Sequence, residues 1–96
     1  MSKENDWAIY KYPISNPKDY IELYLPKKAK ILHFDYQDDH FQVWAFVDPQ
    51  AESETRVFRF AGTGHSINPK QKLHFIGTAI IPLSGHLVFH LFEVLK

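Results

Sequence analysis

Apolar and polar positions alternate with a period of two along almost the whole chain, and no window of eleven or more residues carries the apolar stripe of an amphipathic helix. Residues 7–14 read as a first strand, stopped at Asn16-Pro17, and residues 20–25 as a second, stopped at Pro26. Residues 30–36 and 41–47 form the clearest hairpin, with Gln37-Asp38-Asp39-His40 as its polar tip. On the outgoing strand, alternation places Leu32, Phe34 and Tyr36 on one face and Ile31, His33 and Asp35 on the other. The return strand sets Phe41, Val43, Ala45 and Val47 against Gln42, Trp44 and Phe46. Both faces are mostly apolar, which marks a central strand or one covered by a partner.

Residues 48–54 are polar and acidic and read as a connection. Residues 56–60 are the next strand, with Arg56, Phe58 and Phe60 on one side and Val57 and Arg59 on the other. The segment RFAGTGHSI, residues 59–67, leads into a loop broken at Asn68-Pro69. Residues 73–81 and 86–94 then make a closing hairpin around Pro82-Leu83-Ser84-Gly85. The expected fold is all-β, a single compact antiparallel sandwich or partly open barrel of about seven short strands. One domain spans residues 1–96, with residues 1–6 read as a flexible N-terminus, because a chain of this length encloses one hydrophobic core.

Composition sharpens this picture. Apolar residues on both faces of residues 41–47, and Leu87, Phe89 and Leu91 opposite Val88, Phe92 and Val94, leave more hydrophobic surface than one small core readily hides, so a homo-oligomer is expected. Eleven basic residues balance eleven acidic ones, which removes the long-range attraction of a duplex-nucleic-acid binder. With no cysteine, disulfides, thiolate nucleophiles and Cys-containing zinc sites are excluded. The N-terminus MSKENDWAIY lacks the apolar run of a secretory signal, and no apolar segment is long enough to span a bilayer. A soluble intracellular protein is expected.

The strongest local signal is Gly62-Thr63-Gly64-His65. Two glycines two apart permit positive φ and close backbone approach, which can aim N–H groups at an anion. This is not a dinucleotide fingerprint, since Ile67 stands where the third glycine belongs and Asn68-Pro69 occupies the start of the required helix. A Walker loop fails because Gly-Lys-Ser/Thr is absent. What remains is a strand-end turn with Arg59 and His65 beside it and Arg56 one step back, two guanidiniums and an imidazole that can take a phosphate. The alternative is a glycine turn whose histidine caps a carbonyl. Trp44, with Tyr36 on the paired strand, is a candidate base-stacking surface, although strand aromatics serve first as packing residues.

Catalytic and metal readings find less. His86 and His90 share a strand face but lie about 13 Å apart at strand spacing, too far for one ion. Ser66 and Ser84 lack the surroundings of an activated nucleophile, and Asp38, Asp39 and His40 sit on a solvated tip. No metal, no cofactor and no enzymatic activity is expected.

The phrases LPKKAKILHF, VWAFVDP, RVFRFAGTGHSI, LHFIGT and HLVFHLFE, in this order, resemble a family of small proteins encoded by bacteriophages and prophages, a domain of unknown function. The resemblance runs from about residue 9 to residue 93, with GTGH and VFHLFE as its most specific parts. Members carry Pro after the histidine, where this chain has Ser66. The resemblance implies a phage origin and work in the cytoplasm of an infected host, and it brings no catalytic residues. Together with the loop chemistry it leads to one expected function, a phage binding protein that sequesters a nucleotide-like or phosphorylated host immune signal in an anti-defence role. The expected ligand-binding residues are Arg56, Arg59, Gly62, Thr63, Gly64, His65 and Trp44. The alternative is a protein–protein inhibitor that docks on a host defence enzyme or effector.

Overall fold

The computed structural model describes residues 6–82 and 86–96, which form seven strands. They are β1 (Ala8–Ile14), β2 (Tyr20–Pro26), β3 (Lys30–Gln37), β4 (His40–Val47), β5 (Ser53–Gly62), β6 (Leu73–Ile81) and β7 (Leu87–Val94). Every pairing is antiparallel. The expected N-terminal segment, apart from Asp6, and the 83–85 turn lie outside the described residues.

A three-stranded sheet in the order β1-β4-β3 faces a four-stranded sheet in the order β2-β5-β7-β6. The expected all-β sandwich is therefore what the chain forms, and β4, apolar on both faces, is the central strand of its sheet. Asp38 and Asp39 both have positive φ (55° and 64°), the conformation a two-residue hairpin turn demands and one that aspartate tolerates.

Two details depart from the sequence reading. The first is the start of β5. It begins at Ser53, inside the segment read as a connection, because Ser53, Glu54 and Thr55 pair with Pro26, Leu25 and Tyr24 of β2. A long-range ladder overrides local polarity. The second is a β-bulge between Ile31 and His33, which shifts the face alternation of β3. Ile31 packs against the core with Phe34 and Tyr36, while Leu32 is turned outward and is 52% exposed.

The interior is filled by the alternate residues Phe41, Val43, Ala45 and Val47 of β4 facing Phe58 and Phe60 of β5 and Leu91 of β7. Burying each of the larger ones contributes roughly 1.5–3 kcal/mol. Along one side the sandwich closes where β3 packs on β6. There a Cβ built at Gly77 would lie 3.5 Å from Cβ of Phe34, already ordinary van der Waals contact, so a larger side chain would force the strands apart.

One end of the sandwich is closed by an ion pair. Arg56 shares the inner face of β5 with Phe58, and its Nε and Nη2 donate to the two carboxylate oxygens of Glu93 on β7, each at 2.7 Å. Its Nη1 donates to the carbonyl of Ala29 in the β2–β3 turn. The Glu93 hydrogen bond, working against burial, raises the guanidinium above its ordinary pKa. Both side chains are less than one-fifth exposed, at 18% and 17%. Glu93→Gln is expected to cost about 2–3 kcal/mol in urea denaturation, somewhat below the cost of breaking a fully buried pair. Glu52→Gln, which removes the exposed partner of Lys27, should leave the midpoint unchanged.

Candidate functional site

At the opposite end of β5 from Arg56, the strand runs into the 62–65 turn. The N–H of His65 donates to the carbonyl of Gly62 (3.0 Å), which closes a four-residue β-turn with Gly64 at its third position. Gly64 has φ +92°, the left-handed conformation that a type II turn requires there and that glycine adopts without strain. Gly62 is a glycine for a different reason. The His65 ring folds back over it, so that a Cβ would lie 3.0 Å from Cε1 and 3.2 Å from Nε2 of His65 and 3.3 Å from Cε1 of Phe89. In this position Nδ1 of His65 accepts the N–H of Gly62 at 3.1 Å. The neutral imidazole must then carry its proton on Nε2, as a donor with no hydrogen-bond partner among the described residues.

A cleft of about 340 Å³ opens beside this ring. Gly62, Thr63 and His65 line one wall and residues 86–89 the other, with Leu87, Val88 and Phe89 as the apolar part and His86 at the rim. An apolar wall with a few converging donors is the usual composition of a small-molecule site. Thr63 is held from both sides. Its N–H donates to the Val88 carbonyl (3.0 Å), and its Oγ1 lies 2.8 Å from Nε2 of His90. Nδ1 of His90 in turn lies 2.9 Å from Oγ1 of Thr78.

The Thr63–His90 separation is that of a nucleophile and its base. The third group, however, is a hydroxyl where a catalytic triad has a carboxylate, and it offers no charge to stabilise an imidazolium. The chain Thr63-His90-Thr78 is better suited to fastening the turn to β7 and β6. In the sequence His90 stands out only as a strand-face neighbour of His86, with nothing to connect it to Thr63. Alternation alone places His90 on an outward face, but only the register Ala61↔His90↔Thr78 sets it beside the two threonines.

The remaining predicted residues are not brought to this cleft. Arg59 sits on the outer face of β5 and is only 7% exposed. Its guanidinium donates to the carbonyls of Phe60, Asp19 (3.3 Å) and Ser66 (3.0 Å) and lies 5.5 Å from the Tyr20 ring. It ties the loop after the turn to the sheet. Arg56 is on the opposite face, engaged with Glu93 and Ala29. The two arginines are an odd number of residues apart on one strand and so cannot converge on one anion. Trp44 belongs to the other sheet, on its outer face, 5.5 Å from the His33 ring, whereas Tyr36 points inward against Phe41. The carboxylates of Asp35 and Glu93 have partners of their own, Asp35 beside His33 and Glu93 against Arg56. Among the described residues no group of three or more His, Asp or Glu side chains is arranged to hold a metal ion.

Two facing antiparallel sheets with a glycine–histidine turn at one end define a small all-β sandwich protein. The chain belongs to the family described as Domain of unknown function (DUF7352), which it matches over residues 6–96. No curated protein and no solved structure matches it.

The two glycines are expected to fail differently. Gly62→Ala should displace the His65 ring, break its bond to the Gly62 N–H and lower stability by about 1–3 kcal/mol through overpacking. Gly64→Ala has open space but the wrong backbone conformation, for a cost of about 1–2 kcal/mol. Urea denaturation measures both, and the imidazole proton signals of His65 should move strongly in the first variant and little in the second.

Proposed function

We propose that this protein is a small binding module of phage origin that takes up a nucleotide-like or other phosphorylated molecule in the cleft at residues 62–65. In an infected bacterial cell it would act against defence by sequestering a host immune signal. The observation that carries this reading is the imidazole of His65. With Nδ1 fastened to the Gly62 backbone, Nε2–H is oriented in advance as a donor for a phosphate oxygen, and Leu87 and Phe89 supply an apolar wall for a flat ring. His86 adds a second imidazole at the rim. Arg56 and Arg59, which have internal partners, take no part. The site therefore depends on histidine donors instead of a guanidinium clamp.

A second reading rests on a separate feature. The outer face of β1-β4-β3 exposes Ile9 (60%), Leu32 (52%) and Phe46 (37%), with Trp7 packed on Phe46 at 5.2 Å between ring centroids. An apolar sheet face of this kind suits an inhibitor that docks on a host defence enzyme.

Heat release from the purified protein followed by chromatography tests the first reading. The protein should carry or take up a nucleotide-like molecule, and His65→Ala should weaken uptake about tenfold or more while the protein stays folded, as expected for loss of a hydrogen bond to a charged group. Absence of any bound or acquired nucleotide rejects it. The second reading instead requires a stoichiometric protein from host lysate whose capture is lost with Phe46→Glu.

A further inference from the structure

Two open sheets have four edges, and three of them carry protection against further pairing. In β1 the edge holds Lys11 and Pro13, a charge and a missing N–H. β3 and β6 are each interrupted by a bulge, between Ile31 and His33 and between Phe75 and Gly77, and they pack on each other. β2 has no bulge and no proline before its final Pro26, and its one charge, Glu22, points outward. Its sequence YIELYLP alternates without interruption, Ile21, Leu23 and Leu25 inward and Tyr20, Glu22 and Tyr24 outward. Tyr20 and Tyr24 are 51% and 71% exposed. A cleft of about 520 Å³, lined in part by Ile14, Ile21 and Leu23, lies alongside.

The hydrogen-bond pattern shows which backbone groups this edge offers. The N–H of Phe60 donates to the Asp19 carbonyl (2.9 Å) and that of Lys27 to the Glu52 carbonyl (2.7 Å). Odd-numbered positions of the segment therefore face β5, and Tyr20, Glu22 and Tyr24 direct their N–H and C=O groups away from the sheet. We propose that this edge pairs antiparallel with β2 of a second copy about a two-fold axis at Leu23, which joins the two four-stranded sheets into one of eight.

Parity, charge and full overlap of the seven-residue strand Tyr20–Pro26 select that register. A two-fold axis between residues would set outward side chains against inward ones, so the axis must fall on a residue. Centred on Glu22, it would place the two Glu22 carboxylates directly opposite each other, a like-charge pair. Centred on Leu23, it sets Glu22 opposite Tyr24 of the second copy, twice by symmetry, and Tyr20 opposite Pro26. The inward residues then align as Leu23 with Leu23 and Ile21 with Leu25, so the apolar layer runs on without a break. About six backbone hydrogen bonds form, with Pro26 contributing only its carbonyl.

Position 24 tests the register, because its side chain is exposed in the isolated protein and substitution there leaves the core intact. By sedimentation equilibrium across the micromolar range the wild type should self-associate to a dimer. Tyr24→Glu, which sets two carboxylate pairs across the axis, should weaken the dimer about tenfold, whereas Tyr24→Lys, which sets two opposite-charge pairs, should hold or tighten it. Glu22→Pro removes an N–H that faces away from β5 and should give a monomer with its thermal unfolding midpoint retained. A wild type that is monomeric throughout, or equal weakening by Tyr24→Glu and Tyr24→Lys, overturns the proposal.

Discussion

The contact among four phenylalanines, one each from β3, β4, β5 and β7, is the interaction on which the rest of the molecule depends. Phe34 and Phe41 from one sheet meet Phe60 and Phe89 from the other, with neighbouring ring centroids 4.9–6.3 Å apart in stacked and edge-to-face pairs. This cluster links the two sheets, which share no hydrogen-bonded ladder among the described residues. It also sets the position of Phe89, whose ring edge lies beside Gly62 and limits where the His65 imidazole can fold. The candidate site is thus an outgrowth of the core, and its geometry is only as firm as the aromatic packing behind it.

The two arginines of β5 show the same economy. Each lies in a place where backbone carbonyls or a carboxylate would otherwise be left without partners, Arg56 across the open end of the inner layer and Arg59 beneath the loop that follows the turn. Guanidiniums drawn wholly or partly out of water need several acceptors to offset the loss, and both find them inside the protein. An arginine near a glycine turn in the sequence is therefore not a free cation in space. The side-chain nitrogens left facing the cleft are those of His65 and His86, and the orientation of the His65 ring is set by its bond to the Gly62 backbone.

The all-β class, the seven strands, the hairpin at Asp38-Asp39 and the central place of β4 were all legible from period-two alternation, since a half-buried strand must present one face to the core. So was the opposition of Arg56 and Arg59, because side chains three apart on a strand point to opposite faces. These are local consequences of backbone geometry. The bulge at Leu32 was hidden, as a single unpaired residue leaves no mark in composition. The first residues of β5 were hidden because Ser53, Glu54 and Thr55 become strand only through pairing with β2. For the site, the Gly62-Thr63-Gly64-His65 turn could be read directly, with a positive-φ glycine within it, but the purpose of Gly62 could not. It makes room for a ring three residues away.

What the sequence by itself determined is the alternation of faces, the turns that glycine, proline and aspartate permit, and the absence of thiol chemistry. The tertiary structure alone decided which strands are neighbours, and with that the partners of Thr63, Arg59 and Glu93 and, among the described residues, the sheet edge that carries neither a bulge nor an interior proline. The physical reason is that faces follow from the two-residue repeat of a single strand, whereas partners depend on the order and register in which distant strands are assembled. That assembly is set by the packing of the whole core.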